Sequence, residues 1–202
     1  MITSFKTIKS PAEGLYKEKG SKFIALAIPV TNLEEVEQNL DIIRKKYHDA
    51  RHHCYAYILN AAADVYRAND DGEPNHSAGD PILGQIKSFN LTNVLVVVVR
   101  YFGGTKLGVS GLINAYKTST RNALTEATLI TRKITKEITI LFPYQSTNEV
   151  MKLIGEVEMK ITSQTFDSNC KIEGVIPVQN TESLQTKVEL LNNLGVVLTL
   201  IA

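Results

Sequence analysis

Residues 94–116 read VLVVVVRYFGGTKLGVSGLINAY, and the fold turns on how this stretch is understood. Val94 to Val99 is an unbroken aliphatic, mostly β-branched run without polar alternation, the pattern of a strand covered on both faces. It ends in Arg100, Tyr101 and Phe102, and the chain then turns on Gly103-Gly104. A second glycine-punctuated piece, Thr105 to Gly111, leads into a helical pattern from Leu112 onward. A central strand thus delivers a glycine-rich turn to a helix start, where free backbone N–H groups and the positive end of the helix dipole favour anions. From Arg100 to Arg121 there are four basic residues, Arg100, Lys106, Lys117 and Arg121, and no acidic one. The run lacks the G-x-x-x-x-G-K-[ST] order of nucleoside triphosphatases. Its glycines serve equally well for close packing of helix on strand.

Outward from this stretch the elements follow from periodicity and caps. Upstream, short strands are expected near Ser4–Ile8 and over Lys22–Val30, with polar, turn-forming sequence between them. Thr31 or Asn32 caps a helix: Asn32 stands three residues before Glu35, a capping-box spacing. Leu33, Val36, Leu40 and Ile43 give its apolar stripe, and Arg44-Lys45-Lys46 suit its C-terminus. Ala50–Asn60 (ARHHCYAYILN) alternates as a strand. Asn69–Pro81 (NDDGEPNHSAGDP) is the most turn-rich and acidic part of the chain, with a tight-turn signal at Asp71-Gly72. Asp80 followed by Pro81 predicts an N-cap and a helix over Ile82–Phe89. Downstream, the helix after the glycine turn runs to about Leu129, and the basic connector Ile130–Lys136 marks a domain boundary. Beyond it the pattern reads strand Glu137–Phe142, helix Gln145–Gly155, strands Lys160–Asp167 and Lys171–Val178 joined by Ser168-Asn169-Cys170, helix Thr181–Asn193 and strand Val196–Ile201. That β-α-β-β-α-β order is the ferredoxin-like arrangement.

The bulk composition sets limits. The 202 residues suit one large or two small domains, and 44% hydrophobic with 21% charged residues is ordinary for a chain that buries a core. The net charge of +1 excludes a polycation, so a nucleic-acid surface must be local. It is also unevenly spread. Residues 1–136 hold 18 Lys and Arg against 13 Asp and Glu, net +5, whereas residues 137–202 hold 4 against 8, net −4. Any nucleic-acid contact therefore belongs mainly to the first part. Two cysteines without a CxxC spacing argue against a thiolate metal site and a disulfide scaffold. No apolar run is long enough for a membrane helix, and no signal-peptide core stands at the N-terminus, so a cytoplasmic setting without membrane contact is the expectation.

Four groups of residues carry candidate chemistry. Arg51-His52-His53 and Asp70-Asp71-Gly72-Glu73, with His76, bring imidazoles and carboxylates that can bind a divalent ion and activate water. Neighbouring residues of a strand face apart, however, so His52 and His53 do not share one ion. The carboxylates equally well fix a turn. Arg100 with Tyr101 and Phe102 can hold a phosphate and stack a base, or pair with Asp70 or Asp71 at a corner. Tyr55, Tyr57 and Tyr116 offer either a stacking platform or core packing. Cys54 beside His53 has the residues of a thiol–imidazole pair, but the two side chains point apart.

Four pieces taken together, ARHHCYAY, NDDGEP, AGDPILGQI and VVVVRYFGGTKLGVSGLINAY, resemble the IMPACT family, with its bacterial YigZ-like and eukaryotic Impact members. The motifs cover about residues 50–116, and the two-part layout is similar over essentially the whole chain. The resemblance implies an α+β chain of two domains. Residues 1–133 would share the fold of the second domain of ribosomal protein S-five. Residues 134–202 would form a ferredoxin-like domain resembling the last domain of elongation factor G. The eukaryotic members regulate translation through protein partners. Bacterial relatives usually read GEPSGTAGKP in the turn, whereas His76 and Asp80 here replace a glycine and a basic residue. The expected function is a translation-linked regulatory or binding protein contacting RNA, the ribosome or a protein partner. Its expected binding residues are Arg51, His53, Asp71, Glu73, Arg100, Tyr101, Gly103, Gly104, Lys106 and Gly108, with no cofactor and no metal assigned. An enzyme using the His/Asp/Glu cluster, by metal-assisted hydrolysis or phosphate binding, is the alternative.

Overall fold

The computed structural model describes residues 2–167 and 169–201, so Ser168 of the expected turn lies outside the described residues. The chain is a mixed α/β protein that divides into two compact units, Ser4–Arg132 and Met1–Thr3 with Lys133–Ala202.

The Ser4–Arg132 unit runs β1 (Ser4–Ile8), β2 (Ala12–Glu18), β3 (Ser21–Pro29), α1 (Leu33–Lys46), β4 (His52–Leu59), β5 (Val65–Asn69), α2 (Gly79–Ser88), β6 (Val94–Tyr101), α3 (Gly108–Glu126) and β7 (Leu129–Lys133). Five strands form one sheet in the order β2-β3-β6-β4-β5, antiparallel at every step, with β6 at its centre. Alternation along β6 explains its unbroken aliphatic run. Val94, Val96 and Val98 pack with Phe23, Ala56, Ile82 and Tyr116 under α2 and α3. Leu95, Val97 and Val99 pack with Tyr55, Val36 and Leu40 under α1. A strand between helical layers has no polar face, hence no polar alternation.

The start of α1 follows its capping spacing. The Asn32 side-chain oxygen accepts from the Glu35 N–H at 2.9 Å, and the Glu35 carboxylate accepts from the Thr31 N–H at 2.6 Å. The start of α2 differs from the sequence expectation. It begins at Gly79, so Asp80 lies inside the first turn, and the capping position, Ala78, contributes no side-chain bond. The cap comes from the preceding loop: one Asp70 oxygen accepts from the Ala78 and Gly79 N–H groups at 2.9 and 2.8 Å. Two strands fall where polar or connecting sequence was expected. β2 pairs with β3, and Gly14 within it lies so close to α3 that a Cβ there would overlap the backbone of Ala123. β7 pairs with β1 as a separate two-stranded ladder.

The other unit runs β8 (Thr135–Pro143), α4 (Thr147–Glu156), β9 (Lys160–Thr165), β10 (Asn169–Pro177), α5 (Thr181–Asn193) and β11 (Thr199–Ile201). Its strands stand in the order β11-β8-β10-β9, all antiparallel. Ile138, Ile140, Phe142 and Ile172 of the sheet face Val150, Leu153 and Leu184 of the helices. β11 starts at Thr199, later than the expected Val196. Gly195, at φ +88°, closes α5 with a Schellman pair, its N–H on the Asn192 carbonyl and that of Val196 on the Leu191 carbonyl. The Leu198 N–H then goes to the Asn192 side chain. Those donors close the helix and are not available to a ladder.

Among the described residues, no helix is long and apolar enough to cross a membrane.

Candidate functional site

Arg100 continues the parity of Val94, Val96 and Val98, so it points to the α2/α3 side of the sheet. Phe23 and His52 stand opposite it in register on β3 and β4. Arginine buried there needs a counter-charge. Glu73 supplies it, with the Arg100 Nη1 2.5 Å from Oε1, and the two residues are 7% and 8% exposed. The Tyr116 hydroxyl of α3 donates to the same oxygen at 2.8 Å. The Arg100 guanidinium lies 5.5 Å from the Phe23 ring centre and 5.7 Å from that of Phe102. Its Nε is buried without a partner among the described residues. Of the readings open for Arg100, pairing with Asp70 or Asp71 is not what the structure contains; its partner is Glu73 of the same acidic turn.

Those two aspartates hold the loop instead. Asp70 caps α2 and also accepts from the His76 N–H at 2.9 Å. Burial opposes its ionisation, but the Gly79, His76 and Ala78 N–H groups prevail and hold the carboxyl below its usual range. Asp71, at φ +42°, accepts from the His53 backbone N–H at 2.6 Å and so fastens the loop to β4. His52 Nδ1 lies 2.8 Å from the Asp71 carbonyl, an acceptor, so this nitrogen carries the proton. His76, where the resemblance sets a glycine, has φ +64°, and its Nδ1 pairs with Asp80 at 2.6 Å. The two departures from the family pattern therefore stand in contact.

Behind Glu73, the Cys54 sulfur lies 3.3 Å from the Tyr116 hydroxyl and 2.9 Å from the Asp70 carbonyl. Burial pushes the pKa of both the thiol and the phenol up, so Cys54 stays a protonated thiol with little nucleophilic character.

The glycine turn follows. A Cβ at Gly103 would overlap the backbone of Gly20 and Ser21, so only glycine lets the end of β6 lie against the start of β3. Its N–H donates to the Ser21 hydroxyl at 3.1 Å. Gly104 and Gly108 have φ of +88° and +74°. α3 then starts with Leu107 at the capping position and no side-chain cap. Its first N–H groups have no partner within the helix.

Between this helix start, the end of β6 and the Glu73 loop lies a cavity of about 510 Å³. Arg51, His52, Arg100 and Lys106 line it with Glu73, beside Phe102, Leu107 and Val109. Arg51 and Lys106 are exposed and have no acidic partner among the described residues. Three cationic side chains and one carboxylate thus line a concave site that includes a helix N-terminus, an arrangement that attracts anions.

Of the sequence-predicted site residues, Arg51, Glu73, Arg100, Lys106 and Gly108 line the cavity. Gly103 and Gly104 shape its loop. His53 and Tyr101 are not brought there, because each is one step out of phase with its strand's inward residue. His53 Nε2 lies 3.1 Å from the Tyr47 carbonyl, on the α1 side. The Tyr101 hydroxyl donates to Asp49 at 2.8 Å, and that bond, with burial and the Asp49 charge behind it, raises its pKa. Asp71 is engaged in the loop. His52, a candidate of the His/Asp/Glu alternative, and Phe102, a candidate for base stacking beside Arg100, join the site, together with Leu107 and Val109 of the glycine turn. The strand's alternation carried a signal for His52, which shares the parity of Cys54 and Ala56, but not for which face would meet the loop. Tyr55 and Tyr57 stack under α1, their ring centres 6.5 Å apart and nearly parallel, and Tyr116 is core, so the three tyrosines form no open platform. Among the described residues no group of three or more His, Cys, Asp or Glu side chains is arranged to hold a metal ion.

Comparison with known proteins places this geometry in a wider set. Residues 19–124 match the Impact N-terminal domain. IMPACT family member YvyE of Bacillus subtilis (strain 168) is 30% identical over 183 residues, covering 91% of this chain and 84% of that protein. IMPACT family member YigZ of Escherichia coli (strain K12) is 28% identical over 180 residues, covering 88% of each. A solved structure described as a crystal structure of an hypothetical protein superposes with a TM-score of 0.72 at 26% identity, covering 100% of this chain and 98% of that one.

Proposed function

This chain belongs to the IMPACT family, and we propose that its Ser4–Arg132 unit is an RNA-binding module with a role in translation. In this reading the unit has the fold of the second domain of ribosomal protein S-five. The rest of the chain, from about residue 134, is a ferredoxin-like domain resembling the last domain of elongation factor G. The paired strand orders are compatible with that assignment, and the ribosomal association of both folds favours RNA as the partner.

One observation carries the proposal. Arg51 and Lys106, free of acidic partners among the described residues, flank an uncapped helix start in a cavity beside the exposed Phe102. Unpaired cations supply phosphate attraction, and an exposed aromatic supplies stacking. Binding fits this constellation better than turnover does. Asp70 and Asp71 are held by backbone donors, Glu73 is held by Arg100 and Tyr116, and Cys54 is a buried thiol.

Fluorescence anisotropy with a structured RNA, titrated between about 50 and 300 mM salt, tests this reading. Affinity should fall with a log–log slope of about −2 to −3, and the Arg51→Ala/Lys106→Ala double variant should flatten it by about 1.5. Absence of binding at the lowest salt, or an unchanged slope in the double variant, counts against RNA.

A further inference from the structure

Resting on that RNA-binding reading, we infer that the cavity takes a nucleoside bearing a phosphate monoester, offered either by the 5′ end of an RNA or by a free nucleotide. The first argument is charge. Arg51, Arg100 and Lys106 against Glu73 leave the lining at +2 before His52 is counted. A phosphate monoester carries about −1.5 to −2 at neutral pH, whereas a diester within a strand carries a single negative charge.

The second argument is shape. Arg100 and Glu73 are the buried part of the lining, while Phe102 and Val109, each 53% exposed, lie toward its mouth. A strand threading the site would carry successive phosphates past the Glu73 carboxylate. That carboxylate cannot swing aside without releasing both Arg100 and Tyr116. A chain terminus that brings its charge to Arg51, Lys106 and the helix start avoids this. The volume of about 510 Å³ also falls among those of sites for one small molecule, about 300–1,000 Å³.

Two further features point to a ligand. The Arg100 Nε, on a side chain only 8% exposed, has no partner among the described residues, and its residue lines the cavity. A buried donor left unsatisfied is costly, and because this atom is itself closed off, an acceptor in the cavity reaches it only if the Arg100 side chain shifts. The Phe102 ring, half open at the mouth with the Arg100 guanidinium 5.7 Å from its centre, offers a surface on which a base can stack.

The experiment uses the full-length protein and one single-stranded oligoribonucleotide in 5′-phosphorylated and 5′-hydroxyl forms, with AMP and adenosine as the free pair. The phosphorylated RNA should bind about ten- to a hundredfold tighter at the same salt. Arg51→Ala and Lys106→Ala, both exposed positions, should each shrink that preference. Phe102→Ala should weaken AMP without weakening inorganic phosphate. If the two RNAs bind alike but AMP binds well above adenosine, the inference stands with the free nucleotide as ligand. Equal binding within both pairs overturns it. In that case salt-sensitive binding of both RNAs would leave the RNA module intact, and no RNA binding at all would remove that reading as well.

Discussion

At the level of single residues, one carboxylate oxygen has the largest consequences. Glu73 Oε1 receives both Arg100 and Tyr116 in a setting nearly closed to water. Removing it strands a buried guanidinium, and loss of one partner of a buried pair costs about 3–5 kcal/mol. Glu73→Ala should lower the urea midpoint by that equivalent, whereas Tyr116→Phe, which loses a hydrogen bond to a charged group and a weak thiol contact from Cys54, should cost about 1.5–3 kcal/mol. Equal effects of the two changes would contradict the assignment of Glu73 as the counter-ion. Asp70 yields a pH effect of definite sign. Its carboxyl titrates lower in the folded chain than in the unfolded one. The stability it contributes is thus fully present above the unfolded value, about 3.9, and is lost as pH falls through the lower folded value. Urea unfolding at pH 7 and pH 3 should show a smaller acid loss for Asp70→Asn than for the unaltered protein, with Asp70→Asn already weaker at neutral pH because the Ala78, Gly79 and His76 N–H groups lose their anionic acceptor.

At the level of elements, the strand–turn–helix unit of β6 and α3 organises both the sheet and the cavity. Gly103→Ala forces a Cβ into the Gly20–Ser21 backbone, which cannot yield as a flexible side chain would. Gly104→Ala meets open space and costs only its φ of +88°, about 1–2 kcal/mol. Thermal melts should rank Gly103→Ala well below Gly104→Ala, and the reverse order would mean that β3 and β6 do not close as described. This unit was legible in the sequence because a run such as Val94–Val99 has few other uses than a strand covered on both faces. The capping of α1 was legible because Asn32 and Glu35 are neighbours in the chain. What escaped was non-local. The partner of Arg100 stands 27 residues away, and Asp70, Asp71 and Glu73 look alike until the loop path separates them. The α2 cap comes from Asp70 and not from the adjacent Asp80. β2 was hidden by Gly14 and its charged neighbours, which suit an edge strand pressed against α3. Alternation gave the two faces of β4 and β6 but not which one met the loop, so His53 and Tyr101 were grouped with residues they do not meet.

At the level of the whole molecule, charge follows the structural division less sharply than the sequence suggests. Cutting at the compact units, Ser4–Arg132 holds 16 Lys and Arg against 13 Asp and Glu, net +3, because Lys133 and Lys136 fall with the other unit. That other unit, with 6 against 8, is net −2. The remaining charge asymmetry is modest, so the attraction for RNA proposed above rests on the local cations Arg51 and Lys106 rather than on the charge of the unit as a whole. A separate test follows. Both apolar clusters of the first unit draw only on residues between Ile8 and Ala127, and β1 pairs with β7 near the two ends of that unit. A fragment of residues 4–132 should therefore unfold in one cooperative urea transition. It should also retain RNA affinity. Loss of the acidic unit should improve binding slightly at about 50 mM salt, and that gain should be smaller near 150 mM, where the screening length is about 8 Å. The Arg51→Ala/Lys106→Ala change, by contrast, should weaken the fragment at both salt concentrations. A fragment that folds cooperatively yet loses RNA affinity altogether would place the binding surface outside residues 4–132, whatever the cavity holds.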